Sequence, residues 1–142
     1  MEHNKISLPI AIMIETLRHN GISNQELIKK VAAKNVSEWE SFNPDFDFHM
    51  LISLFEDSDF TSLIHDGYQI KFVTINGLQN LLRLKFNLLK DVDYNLIENG
   101  ISGLTLDQQQ FAIFKQMLST NCTILENSVN AEGITTIQIK MA

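Results

Sequence analysis

Cysteine is nearly missing from this sequence. Cys122 stands alone, so no internal disulfide can form, and a reducing, cytoplasmic setting is the expectation. Proline and glycine are sparse, at two and six residues. No Pro/Ser/Gly linker and no low-complexity tract divides the chain, so residues 1–142 are expected to fold as one domain. Folding at this length buries roughly two-thirds of the unfolded chain's surface, so no disulfide or metal is needed to hold it. Long apolar runs are absent as well. Ile10 to Ile14 follows Pro9, is closed by Glu15, and is too short for a signal peptide or a membrane span. Basic residues number 11 against 17 acidic ones, for a net charge of −6, which disfavours general binding to nucleic acid or anionic membrane.

The charge that is present is unevenly spread. Residues 37–67 hold Glu38, Glu40, Asp45, Asp47, Glu56, Asp57, Asp59 and Asp66 with no Lys or Arg. Residues 68–90 hold Lys71, Arg83, Lys85 and Lys90 with no acid. The simplest expectation is that these two segments lie together and partly neutralise each other.

The segment Tyr68 to Lys90 also has the clearest pattern. Tyr68, Ile70 and Phe72 alternate with Gln69 and Lys71, so 68–74 reads as a strand. Asn76-Gly77 is able to close a hairpin, but the resulting register sets apolar residues against polar ones, as with Val73 opposite Asn80 and Ile70 opposite Arg83. A helix start suits the residues better, with Asn76 as cap, Gln79 completing a capping box, and Leu78, Leu81, Leu82, Leu88 and Leu89 on one face. Lys85 interrupts that apolar face. Either it snorkels outward from a continuous helix, or the helix ends near Arg83 and Arg83–Leu88 is a further strand; both readings stand.

Elsewhere the first half reads as helices. Ser7 and Pro9 open one that stops at Asn20-Gly21. Ser23 to Glu26 is a capping box for a second, and Ser37 to Glu40 repeats the pattern for a short third. Phe48, Leu51, Ile52 and Phe55 are spaced for a helix over about 45–56, and Asp59 caps another that ends at Gly67. Asp93 is expected to cap a short helix to Glu98, and Thr105 a longer one to about Leu118. Thr135, Ile137, Ile139 and Met141 alternate with polar residues after a turn-rich stretch over 127–133, which predicts a C-terminal β-hairpin with 68–74 as its third strand. The fold class is therefore α+β: a helical N-terminal half and a small antiparallel sheet of about three strands. Asn-Gly-Ile-Ser occurs at 20–23 and again at 99–102, and reads as the same helix-stop device used twice.

Most motifs of chemistry fail on their own spacing. Asp91, Asp93 and Asn95 begin like a calcium loop, but Leu96 stands where glycine is needed and Ser102 where a bidentate Glu is needed. Gly100-Ile101-Ser102-Gly103 has its second glycine one residue early for an esterase elbow, and no phosphate loop exists. His3, His19, His49 and His65 are scattered. No cofactor or metal is expected. The order expected over 93–142 (helix, turn, helix, hairpin) follows a winged helix, with Gln108, Gln109, Gln110 and Lys115 facing outward. Its proposed wing, residues 127–132, has no basic residue, and phosphate contacts dominate such affinity.

Residues 37–66 combine Trp39 and five phenylalanines with eight acids. Their plainest reading is an amphipathic helical layer with the aromatics inward. Their functional reading is a partner surface on which a loop around Asn43-Pro44 exposes aromatic anchors and acids steer a basic partner. Trp39, Phe42 and Phe46, with Asp45, Asp47 and Asp57, are the candidate partner-binding residues. The leading expectation is a non-catalytic regulatory or adaptor protein that binds another protein, with self-association left open and no membrane contact. The alternatives are a winged-helix regulator of nucleic acid, and a small-molecule binder or enzyme with an apolar pocket.

Overall fold

Helix signals in the first half are realised close to where the residues put them. In the computed structural model, which describes residues 5–57 and 59–141 apart from the side chains of 57 and 126–128, α1 (Leu8–His19) starts after Ser7 with Pro9 in its first turn. It stops at Gly21, whose φ of 90° suits a residue without a Cβ. α2 (Asn24–Ala32) is capped by Ser23, whose Oγ accepts the Glu26 N–H at 3.1 Å. A 3-10 turn (Ser37–Ser41) leads to α3 (His49–Asp57) and α4 (Phe60–Asp66). α3 begins later than its apolar spacing implies, because Asp47 Oδ1 accepts the His49 N–H at 3.1 Å and caps the chain there. Asp59 caps α4 as expected, accepting the Ser62 N–H.

The 68–90 segment resolves in favour of one continuous helix. α5 (Ile75–Phe86) is capped by Thr74, which accepts the Gly77 N–H at 3.1 Å, so Asn76 lies inside the helix rather than at its cap. Gly77 is there for packing: a Cβ on it would strike the Leu8 side chain, so its absence lets α1 lie close against α5. Asn87 ends the helix in the left-handed region at φ 58°, with Asn87 N–H on Arg83 O and Leu88 N–H on Leu82 O. The strand expected over 68–74 is much shorter. Gln69–Ile70 pairs in parallel with Lys5–Ile6, and neither joins the larger sheet. Past Ile70 the backbone is held elsewhere: Val73 bonds through both its peptide groups to Ser119 and Asn121.

Naming the strands in chain order, Lys5–Ile6 is β1 and Gln69–Ile70 is β2. The main sheet comprises β3 (Asn95–Ile97), β4 (Gly100–Leu106), β5 (Cys122–Val129) and β6 (Thr135–Met141), in the antiparallel order β3-β4-β6-β5. The fold is α+β with the predicted C-terminal hairpin, and the sheet has four strands. The helix expected over 93–98 is absent. Asp93 accepts the Leu89 N–H at 2.7 Å and closes a turn, after which β3 runs into the two-residue loop Glu98-Asn99, with Asn99 at φ 56°. Its partner strand can follow at once because Gly100 abuts the Ile139 carbonyl, where no Cβ fits. The order is therefore hairpin, helix, hairpin rather than that of a winged helix. α6 (Gln108–Met117) is capped by Asp107 in a reciprocal box with Gln110, so Thr105 belongs to β4. Ile101, Leu104, Ile137 and Ile139 face inward from the sheet and share one core with Phe111 and Phe114 of α6, and with Leu78, Leu81 and Leu82 of α5. No helix among the described residues is long and apolar enough to cross a membrane.

Candidate functional site

The acidic aromatic segment divides by burial. Trp39 follows the plainer reading, with aromatics inward, and not that of an exposed anchor: it is 1% exposed and meets Phe48 edge-on with ring centroids 6.2 Å apart. Its Nε1–H has no partner among the described residues. Phe48 also receives Phe46 edge-on at 5.7 Å, leaving Phe46 half-buried. Phe42 is 37% exposed. Asp45 and Asp47 are exposed on either side of Phe46. Asp57 closes α3, and its side chain lies outside the described residues.

Phe42 and Phe46 come together on one wall of a groove of about 400 Å³ between the 42–46 loop, α1 and α5. Ile12 and Leu84 supply its other apolar surface, and Asn20, Asn43, Asn80 and Arg83 its polar rim. Two acids of this segment pair with lysines of the first half and not with the basic 68–90 segment. Glu38 pairs with Lys30 of α2, and Glu56 lies 3.7 Å from Lys34. These are solvent-facing pairs of small energetic weight.

A second cleft, of about 640 Å³, opens across the ends of α1, α4, α5 and α6. At its base is Glu15, a carboxylate 1% exposed on the inner face of α1. Its Oε2 accepts three hydrogen bonds: from Tyr68 OH at 2.5 Å, Arg18 Nη1 at 2.9 Å and Lys85 Nζ at 3.0 Å. Burial of a carboxylate is tolerable only with such pairing. Burial, followed by the Glu15 charge and its hydrogen bond, holds the Tyr68 phenol well above its usual pKa. Lys85 moves the other way. Burial depresses its pKa more than the facing Glu15 raises it. Arg18 is fixed at two further points, through Nε to Asn24 Oδ1 at 3.0 Å and Nη2 to the Ile64 carbonyl at 2.8 Å. Gln116 of α6 bonds the Asp66 carbonyl at 2.8 Å and closes the far side, against Gly67. His19 and Leu84 line both clefts and separate them, with His19 Nδ1 3.2 Å from the Leu84 carbonyl.

Neither Glu15 nor Tyr68 stood out as a site residue in the sequence. Two signals were nonetheless visible: a lysine in the middle of an apolar helical face, and a glutamate closing an apolar run. Their partnership was not, because 70 positions separate Glu15 from Lys85. The continuous-helix reading had Lys85 snorkelling to the surface; in the fold its ammonium turns inward to Glu15. Among the described residues, no group of three or more His, Cys, Asp or Glu side chains is placed to hold a metal ion. No family model, curated protein or solved structure matches this chain.

Proposed function

We propose that this chain is a non-catalytic binding module of a regulatory or adaptor kind. It takes an apolar side chain of a basic protein segment into the groove between Phe42, Phe46, Ile12 and Leu84. The supporting observation is Phe42: a large aromatic at 37% exposure, lining a groove of mixed polar and apolar character that α1 and α5 also line. Burying such a ring against a partner gives a compact anchor of the kind that dominates protein interfaces. Glu40, Asp45 and Asp47 are exposed in the stretch around Phe42 and would steer Lys or Arg residues of the partner. Arg83 on the α5 rim would repel them there, which fixes one orientation. A cytoplasmic location suits the solitary Cys122.

Affinity purification at low salt with wild type, Phe42→Ala and the double variant Asp45→Lys/Asp47→Lys tests this. A protein retained by wild type is expected to lose about tenfold or more in affinity with Phe42→Ala. The double variant is expected to slow its association and remove its salt dependence. Equal retention by all three would sink the proposal.

A further inference from the structure

We propose that the second cleft, over Arg18 and Lys85, binds a small organic monocarboxylate whose carboxylate completes the charge balance around Glu15. The inner cluster of Glu15, Arg18 and Lys85 carries one surplus positive charge, while Asp66, the other acid lining the cleft, has its Oδ2 on the Ser62 hydroxyl. Glu15 faces two cations, Arg18 and Lys85, and both are largely buried, at 21% and 16% side-chain exposure. A buried cation with half a partner is costly, and an incoming anion relieves it.

Arg18 and Lys85 both have donors beyond those already bonded. Three of the five guanidinium N–H groups of Arg18 go to Asn24, Glu15 and Ile64, and one of the three ammonium protons of Lys85 goes to Glu15. The remaining N–H groups belong to two side chains that both line the cleft. Arg18 is held at three points, so little ordering is left for a ligand to impose. The cleft volume of about 640 Å³ is in the range that holds a small molecule, and Ile64, Leu84 and Ile113 give apolar surface for its body.

The same charges select against other ligands. A dianion such as phosphate would exceed the single surplus charge of the inner cluster. A cation would meet Arg18 and Lys85.

Calorimetric titration of the full chain with acetate, phenylacetate and indole-3-acetate, against inorganic phosphate and phenethylamine, provides the test. The aromatic carboxylates are expected to bind saturably and more tightly than acetate, and phosphate and phenethylamine not to bind. Lys85→Met keeps the length of the stem and is expected to weaken binding about tenfold or more. Glu15→Gln raises the surplus charge and is expected to tighten it, an outcome that a purely structural role for Glu15 does not produce. Should either variant fold poorly, the wild-type Arg18 Nε–H resonance supplies the readout: it is expected to shift with phenylacetate and stay fixed with phenethylamine. Val92→Ala, at an exposed residue that lines neither cleft, leaves the binding unchanged. Absence of binding by every carboxylate, tighter binding of phosphate, or affinity indifferent to Lys85→Met would each overturn the proposal.

Discussion

Tyr68 illustrates how one residue couples the ends of the fold. It follows α4, is almost fully buried, and donates its hydroxyl to Glu15 at 2.5 Å. A hydrogen bond to a charged acceptor contributes about 1.5–3 kcal/mol, so Tyr68→Phe is expected to destabilise by about that much while preserving the ring's packing. The pH dependence carries a definite sign. The phenol is raised well above 10.0 in the folded chain, whereas the unfolded chain releases that proton near 10. Above that pH the folded state binds more protons, so the stability from Tyr68 is intact below about 10 and is lost as pH rises toward the folded value. Lys85 has the opposite slope. Its folded pKa is below 10.5, so its contribution improves as pH rises from that lowered value to the unfolded one. Comparing wild type with Tyr68→Phe by urea unfolding from about pH 8 to about pH 11 isolates the tyrosine. The stability gap between the two is expected to narrow above about pH 10, and a constant gap would refute the assignment. Sequence reading flagged Lys85 as the misfit on its helix. What it could not supply was the acceptor, because a buried pair is a property of two elements packed together.

At the level of elements, legibility followed locality. Caps and stops are written in four or five adjacent residues, and Ser23, Asp59 and Gly21 act where their chemistry predicts, while the caps expected at Asn76 and Thr105 fall two residues away, to Thr74 and Asp107. Strand pairing depends on distant residues, and there the reading failed: 68–74 shrank to Gln69–Ile70, and 93–98 became a turn and β3. The repeated Asn-Gly-Ile-Ser shows why. At 20–23 the glycine takes φ 90° and ends a helix; at 99–102 it is Asn99 that takes the left-handed turn, and Gly100 enters a strand. The same four letters serve two purposes because the flanking sequence, helical in one case and extended in the other, decides the geometry. Gly100 is needed for close approach, since a Cβ there would collide with the Ile139 backbone carbonyl, which the β4–β6 ladder holds in place. Gly100→Ala is therefore expected to cost about 2–3 kcal/mol by chemical denaturation. Gly133 has φ 80° and nothing within 4 Å of a built Cβ, so Gly133→Ala should cost only the left-handed penalty of about 1 kcal/mol. A reversed order of the two would exclude this account.

Over the whole molecule, the two halves meet along one seam. The segment from Asp66 to Val73 leaves the helical half and is bonded to residues 116–121 at the end of α6: Gln116 to the Asp66 carbonyl at 2.8 Å, Gln69 to the Leu118 carbonyl at 3.1 Å, and Asn121 to the Val73 carbonyl at 3.0 Å. Segmental charge counts pointed instead to electrostatic pairing of 37–67 with 68–90. They could not register that Lys30 of α2 and Lys34 just beyond it pair with Glu38 and Glu56. The seam is instead a set of neutral side-chain to backbone bonds, and Ser119 is its most exposed point to mutation. Its Oγ accepts the Val73 N–H at 3.0 Å, and both residues are buried. Ser119→Ala would leave that amide without its acceptor inside the protein, at a cost of about 1–3 kcal/mol. Trp39, the only tryptophan, reports on the helical half through its fluorescence, and amide exchange of β4 and β6 reports on the sheet. If the shared core makes the halves one cooperative unit, Ser119→Ala lowers both stabilities equally. A sheet that keeps its wild-type protection while Trp39 becomes exposed earlier would mean instead that the seam joins two separately stable parts.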